Sequence, residues 1–312
     1  MAKFRDSVPD ATSVIEASAQ MRSAPLGANE PADADLRDRS IGDILSELRE
    51  LSAEQVEQIL KHQRDRGVRF GEAALALGLV SKDDILFALS QQFHYPYAPG
   101  ERFTTSPELV ALNQPFSNQA EAVRGVRSQL LARVFSDPTQ RAVAVVSADD
   151  GDGRTWFAAN LAVSLAQLGR RTLLVDADLR SPGVHALFGL NLAPGLSGIL
   201  SGRAETHVIQ QIAAVPDLCV MASGTTPPNP LELIERPAFG LLFKELASKF
   251  DHVIVDTPAA VHGSDGAVIA SKCGACVVVA RKDSSRLAAL QELLAALTDM
   301  RSKVAGVVFN EH

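Results

Sequence analysis

The segment Ala148-Asp149-Asp150-Gly151-Asp152-Gly153-Arg154-Thr155 carries the residue types that hold a phosphate group. Its glycines let the backbone turn so that successive N–H groups face one point, and a nest of that kind takes an anion. Arg154 supplies a fixed positive charge, and Thr155 supplies a hydroxyl that suits Mg²⁺. Carboxylates recur at two further places: Asp176 and Asp178 after Leu173-Leu174-Val175, and Asp256 after Val253-Ile254-Val255. Beside a phosphate loop they can hold the hydrated metal or take a proton. For any one of them the plain alternative is a helix cap. Three together with the loop point to a nucleotide-binding site, in which Asp150, Gly151, Asp152, Gly153, Arg154, Thr155 and Trp156 approach the phosphates.

These residues need strand ends to position them. Apolar runs at 142–146, 172–175, 218–221, 252–255, 275–280 and 304–309 are rich in Val, Ile and Leu and alternate with helical patterns. That rhythm predicts an α/β domain over residues 114–312, a parallel sheet covered on both faces with its ligand at the carboxyl ends of the strands. Residues 98–113 break all periodicity and read as a linker. Residues 38–97 read as a small all-helical domain built on a repeat: Ile41-Gly42 recurs as Phe70-Gly71, Val56 as Ile85, Leu60 as Leu89 and Gln63 as Gln92, always 29 residues on. Residues 1–37, rich in Ala, Ser, Pro and Asp, read as a disordered leader.

The loop resembles a Walker A motif, with Ala148 at its first glycine and Arg154 at its lysine. With the aspartates it is similar to the bacterial tyrosine kinases, a MinD/ParA-like P-loop NTPase family with Walker A, A′ and Walker B motifs, over residues 114–312. Glu121-Ala-Val-Arg124-Gly-Val-Arg127 matches the family's E-x-x-R-x-x-R oligomerisation motif, although the spacing also suits an ion pair along one helix. Gly224-Thr-Thr-Pro227-Pro228-Asn229-Pro230-Leu-Glu232-Leu matches another family segment and predicts a helix start, with Asn229 at the N-cap and Glu232 completing a capping box.

The resemblance implies ATP and Mg²⁺ as cofactors. It implies metal binding by Thr155, Asp178 and Asp256, catalysis by Asp176, Asp178 and Arg154, and a base contact from Asn310. Within the family the chain resembles the short EpsG-type chain-length-determinant kinases. That implies a homo-oligomer working in exopolysaccharide chain-length control, recruited to the inner membrane by the cytoplasmic tail of a membrane polysaccharide co-polymerase. The wider family phosphorylates a C-terminal tyrosine cluster. The only tyrosines here are Tyr95 and Tyr97, so autophosphorylation on such a cluster is not expected, which leaves phosphorylation of another protein, simple ATP hydrolysis or a nucleotide-held scaffold. The helical repeat resembles the cyclic di-GMP-binding N-terminal domain of type II secretion ATPases, which implies a ligand site at Arg69, Gly71 and Gly78. The first copy carries Ser40 and Arg49 where arginine and glycine are expected, so a protein-docking domain is the alternative there.

Composition narrows the classes. A net charge of −7 with 46% hydrophobic residues describes a globular protein and argues against a nucleic-acid partner. No apolar run approaches the ~20 residues of a membrane-spanning helix. Three cysteines make no disulfide framework, and Cys273-Gly-Ala-Cys276 leads into a strand, so a cytoplasmic location is expected. Two rivals remain. A nucleotide-binding scaffold or second-messenger adaptor fits Arg154 and the sparse tyrosines. A membrane-partitioning ATPase fits the fold, but this loop has Asp149 and Asp150 where that group carries an early lysine.

Overall fold

The computed structural model describes residues 40–92, 105–203 and 208–311, which fall into two compact units. Expectations for the leader and for Tyr95 and Tyr97 lie outside these residues.

The helical unit comprises α1 (Ile41–Leu48), α2 (Ala53–Arg66), α3 (Phe70–Ala76) and α4 (Lys82–Gln92). The repeat survives in its capping chemistry. Ser40 pairs reciprocally with Asp43 ahead of α1, and 29 residues on the Arg69 amide donates to Glu72 ahead of α3. Ser52 with Gln55 ahead of α2 recurs as Ser81 with Asp84 ahead of α4. Each box satisfies N–H groups that a helix start otherwise leaves without acceptors. Leu45, Ile59, Ala74, Val80 and Ala88 are buried in a common core against Phe70 and Ile85. Arg49, the departure in the first copy, has its Nε 2.7 Å from Asp84 Oδ2 and so ties one copy to the other.

The α/β unit holds α5 (Val110–Asn113), α6 (Asn118–Arg133), β1 (Ala142–Val146), α7 (Arg154–Ala166), β2 (Thr172–Asp176), α8 (Val184–Leu187) and α9 (Leu196–Leu200). It continues through β3 (Ile209–Ile212), β4 (Val215–Met221), α10 (Pro230–Glu235), α11 (Pro237–Lys249), β5 (His252–Asp256), α12 (Asp265–Cys273), β6 (Ala275–Arg281), α13 (Leu287–Asp299) and β7 (Lys303–Asn310). The strand order is β3-β4-β2-β5-β1-β6-β7. All pairings are parallel except β3 with β4. The central strands β1, β2 and β5 are buried along their whole length, as covering by helices on both faces requires.

Three expectations are corrected. The sheet is mixed, because Ile209-Gln210-Gln211-Ile212 adds an antiparallel edge strand too short and polar to read as an apolar run. Residues 105–113 are not linker: Leu109, Val110, Ala111 and Leu112 are buried, and Asn160 of α7 accepts from the Ala111 amide at 2.9 Å. Asn229 sits at the N-cap of α10 with Pro230 after it, but its side chain makes no capping bond. Among the described residues, no helix is long and apolar enough to cross a membrane. Cys273 and Cys276 are buried free thiols, and burial pushes Cys276 up to about 12.

His252 opens β5 at the end of the sheet away from the loop. Its ring lies 4.5 Å from that of Phe135, and neither ring nitrogen has a hydrogen-bond partner. Burial holds the imidazole below its ordinary range, opposed by Asp251 and reinforced by Arg170 and Arg141. The unfolded chain therefore takes up a proton that the folded one refuses. This contribution is complete above the unfolded value of ~6.5 and is lost as pH falls below it. We expect stability to fall by roughly 1 kcal/mol more between pH 8 and 5.5 in the wild type than in His252→Leu. Urea unfolding at the two pH values measures the difference, and equal slopes would contradict it.

Candidate nucleotide and metal site

β1 delivers the loop 147–153 to the mouth of the sheet, and Gly153 starts α7. Gly151 and Gly153 have φ of +76° and +94°, which side chains rarely adopt. With these turns in place, the backbone N–H groups from Asp150 to Thr155 find no acceptor among the described residues. Six consecutive free amides, ending on the N-terminus of a thirteen-residue helix, form a concave nest for an anion.

The three loop carboxylates, which would repel that anion, are each engaged by the protein. Asp149 Oδ1 lies 2.8 Å from Arg286 Nη2, and that contact holds its carboxyl below the usual range. Asp150 pairs with His262. Asp152 is buried and closes the loop on itself, accepting from the Asp149 amide at 3.2 Å and from Ser285 Oγ at 2.7 Å. Its side chain therefore shapes the nest, leaving only its amide to meet a phosphate. Ser285, Arg286 and His262 were not legible as site residues, because their partners lie more than 100 positions away in sequence.

Arg154 differs from expectation. Its guanidinium is 7% exposed, with Nε donating to the Thr257 carbonyl at 2.9 Å and Nη1 to Ser147 Oγ and the Asp149 carbonyl. Only Nη2 remains, 3.7 Å from Asp150 and 3.8 Å from Asp178. A buried guanidinium must find acceptors, and those within reach are the ends of β1 and β5. Arg154 thus ties loop to sheet, with one edge left for a phosphate. Lysine, with a single nitrogen, cannot span the same three oxygens. Arg154→Lys should cost about 1–3 kcal/mol in urea unfolding while changing nucleotide affinity little. Unchanged stability with a large loss of affinity would reverse that assignment.

The carboxylates converge as the motifs require but divide the work differently. Thr155 Oγ1 donates to Asp256 Oδ2 at 2.6 Å, and the other oxygen of Asp256 is buried without a partner. Burial pushes Asp256 up to about 7, against the Thr155 hydrogen bond and the charge of Arg154. Asp178 is held by the Arg180 and Ser181 amides on Oδ1, leaving Oδ2 toward Arg154 Nη2. Asp176, expected to be catalytic, lies deeper than Asp178. It is fully buried, and the amides of Asp178 and Val184 occupy its two oxygens. Burial and the nearby Asp256 hold its carboxyl well above the ordinary range. The A′ turn is further fixed by Arg180, whose fork meets the buried Asp265 at 3.2 and 3.1 Å.

An orphaned buried carboxylate oxygen beside a hydroxyl and a second carboxylate is an all-oxygen donor set that suits a hard dication. Thr155, Asp178 and Asp256 therefore fit Mg²⁺. Asn310 Nδ2 donates to the Asp152 carbonyl at 3.1 Å, so it braces the loop. With Trp156, Phe157 and Phe309 it also lines a cavity of about 260 Å³. In the E-x-x-R-x-x-R segment, Arg124 pairs with Glu121 and reaches the Pro115 carbonyl, while Arg127 binds Ser164 on α7. These contacts lie within one chain.

Residues 143–312 match the model for the CobQ/CobB/MinD/ParA nucleotide binding domain. The putative tyrosine-protein kinase CapB of Staphylococcus aureus is 32% identical over 213 residues, covering 68% of this chain and 92% of its own length. The putative tyrosine-protein kinase EpsB of Ralstonia solanacearum is 34% identical over 202 residues, 65% of this chain. That match spans only 27% of EpsB. Among solved structures, the kinase domain of the Escherichia coli tyrosine kinase ETK superposes with a TM-score of 0.63 at 30% identity, covering 67% of this chain and 82% of that one. Fold, motif geometry and relatives agree, and the chain belongs to the bacterial tyrosine-kinase family, within the CobQ/CobB/MinD/ParA nucleotide-binding group.

Proposed function

We propose that this chain binds Mg-ATP and transfers phosphate to a tyrosine on another polypeptide, controlling exopolysaccharide chain length together with a membrane polysaccharide co-polymerase. The observation that carries this reading is the nest of free amides from Asp150 to Thr155, which opens beside Asp178 and the unpartnered oxygen of Asp256. The amides and Arg154 Nη2 bind the phosphates, and the cavity bounded by Trp156 and Asn310 takes the base. Thr155, Asp178 and Asp256 hold Mg²⁺, which when bound neutralises charge on the phosphate oxygens. Asp178 would turn its one free oxygen, Oδ2, to the metal and help orient the acceptor hydroxyl, while Asp176 and the Arg180–Asp265 pair fix the turn that presents it.

The finer assignments are proposals of the same kind. The EpsG-type role rests on the sequence resemblance, with the helical repeat ahead of a loop that carries Arg154. Exposed Glu121 on α6 supports association into oligomers. The 29-residue repeat supports a cyclic di-GMP site at Arg69, Gly71 and Gly78. Recruitment from the cytoplasm to the inner membrane rests on the co-polymerase tail.

Phosphotyrosine formation on a tyrosine-bearing acceptor with Mg-ATP tests the kinase reading. Asp178→Asn should lower the rate at least ~100-fold while the protein stays folded. Arg154, two of whose three nitrogens are tied to protein, favours a second reading, a scaffold that binds nucleotide without turnover. Tight Mg-ATP binding with neither transfer nor hydrolysis would select it.

A further inference from the structure

Loop 222–229 after β4 and the segment before α9 enclose a cavity of about 700 Å³. Its walls are fixed by backbone. The amides of Leu196 and Ser197 donate to the Ala222 and Ser223 carbonyls at 2.8 Å, and Ser197 Oγ donates to the Thr225 carbonyl at 2.7 Å. A Cβ on Gly195 would lie 2.4 Å from the Ala222 carbonyl oxygen, so no side chain fills this side. Arg203 and Arg236 both line the cavity, and neither guanidinium is paired among the described residues. The hydroxyls of Thr225 and Thr226 and the amide of Asn229 complete a polar lining that holds no carboxylate among the described residues. In a chain of net charge −7, a preformed cavity with two guanidiniums unpaired among the described residues is a local reversal of sign.

We infer that this cavity docks an acidic stretch of the acceptor polypeptide, its carboxylates received by Arg203 and Arg236. The inference rests on the kinase reading for its acceptor but on its own residues for the site. β4 lies three strand positions from β1 in the order β4-β2-β5-β1, and loop and cavity both follow carboxyl ends of these parallel strands. Neighbouring strands are ~4.8 Å apart, so the two sites stand roughly 14 Å apart along the sheet edge. An extended chain covers that in about four or five residues, at ~3.3 Å each. A peptide with its tyrosine at the nest would therefore bring a residue that far along to the arginines. The prolines at 227 and 228 stiffen the rim and reduce what must be ordered on binding.

Binding of fluorescent peptides to the full chain without nucleotide tests this. The probes are a tyrosine followed at four to six residues by three glutamates, and the same peptide with glutamines. Wild type should prefer the acidic peptide, with affinity falling as salt rises. Arg203→Gln/Arg236→Gln should weaken it roughly tenfold or more and leave the glutamine peptide and Mg-ATP unaffected. Both residues are exposed, so folding is spared; Arg236→Glu should further weaken the acidic peptide. Equal binding of the acidic peptide by wild type and double variant would overturn the proposal. Full displacement by millimolar inorganic phosphate would overturn it in favour of a small-anion site. Failure to bind Mg-ATP would sink the kinase reading and leave this result standing.

Discussion

Replacing Asp256 with asparagine is expected to weaken magnesium-dependent nucleotide binding severely and to raise the melting temperature of the nucleotide-free protein. The two effects share a cause. Asp256 is fully buried with Asp178 and Asp176 close by, and its carboxyl is pushed up to about 7. A folded value above the unfolded one means that the fold disfavours the ionised group, a cost felt as pH rises above the unfolded range and greatest at neutral pH and beyond. Asparagine removes the charge and still accepts from Thr155 Oγ1. Relief of ~1–2 kcal/mol would appear as a rise of a few degrees in Tm. The same change removes a metal oxygen, so Mg-ATP affinity should fall roughly a hundredfold or more, about 2.7 kcal/mol. Calorimetry and thermal scans with and without Mg-ATP read both effects. A variant that melts lower without nucleotide, or keeps the wild-type magnesium-dependent affinity, would show that Asp256 is not the metal carboxylate.

Gly153→Ala should be the most damaging single methyl group in the site. At φ +94° alanine is strained whatever the space around it. Its Cβ would also stand 2.3 Å from Asn310 Nδ2. The asparagine can swing away only by giving up its hydrogen bond to the Asp152 carbonyl, which braces the loop. We expect a loss of about 2–3 kcal/mol in urea unfolding, with nucleotide binding weakened in parallel as the amides lose their common focus. Adding Asn310→Ala should relieve the collision but not the φ strain. The double variant should therefore be less damaged than the sum of the single ones, with a coupling of about 1 kcal/mol. Strict additivity would mean that the two residues do not meet.

The sequence made the frame of this site readable for a specific reason. Buried parallel strands are nearly continuous apolar runs, and Asp176 and Asp256 break those runs at the point where a strand leaves the core. Glycines at positive φ likewise mark the loop from local pattern alone. Contacts between distant segments were not readable. Nothing local indicates that Asp149 faces Arg286, that Ser285 reaches Asp152, or that Arg154 bonds Thr257 rather than standing free for a phosphate. The difference between Asp176 and Asp178 escaped for the same reason. Asp176 ends β2 and Asp178 follows two residues on, and only the folded turn shows Val184 covering one while the other keeps an oxygen toward Arg154. The strand β3, with two glutamines among four residues, carries no apolar run, because an edge strand needs only half a buried face.

Calorimetric titration of Mg-ATP into the purified chain, beside Asp256→Asn, tests the central claim most directly. Saturable binding that requires magnesium and is severely weakened in a folded Asp256→Asn protein is the predicted result. Absence of binding by a folded wild-type chain would contradict it, because the amides from Asp150 to Thr155 would then be no phosphate site at all.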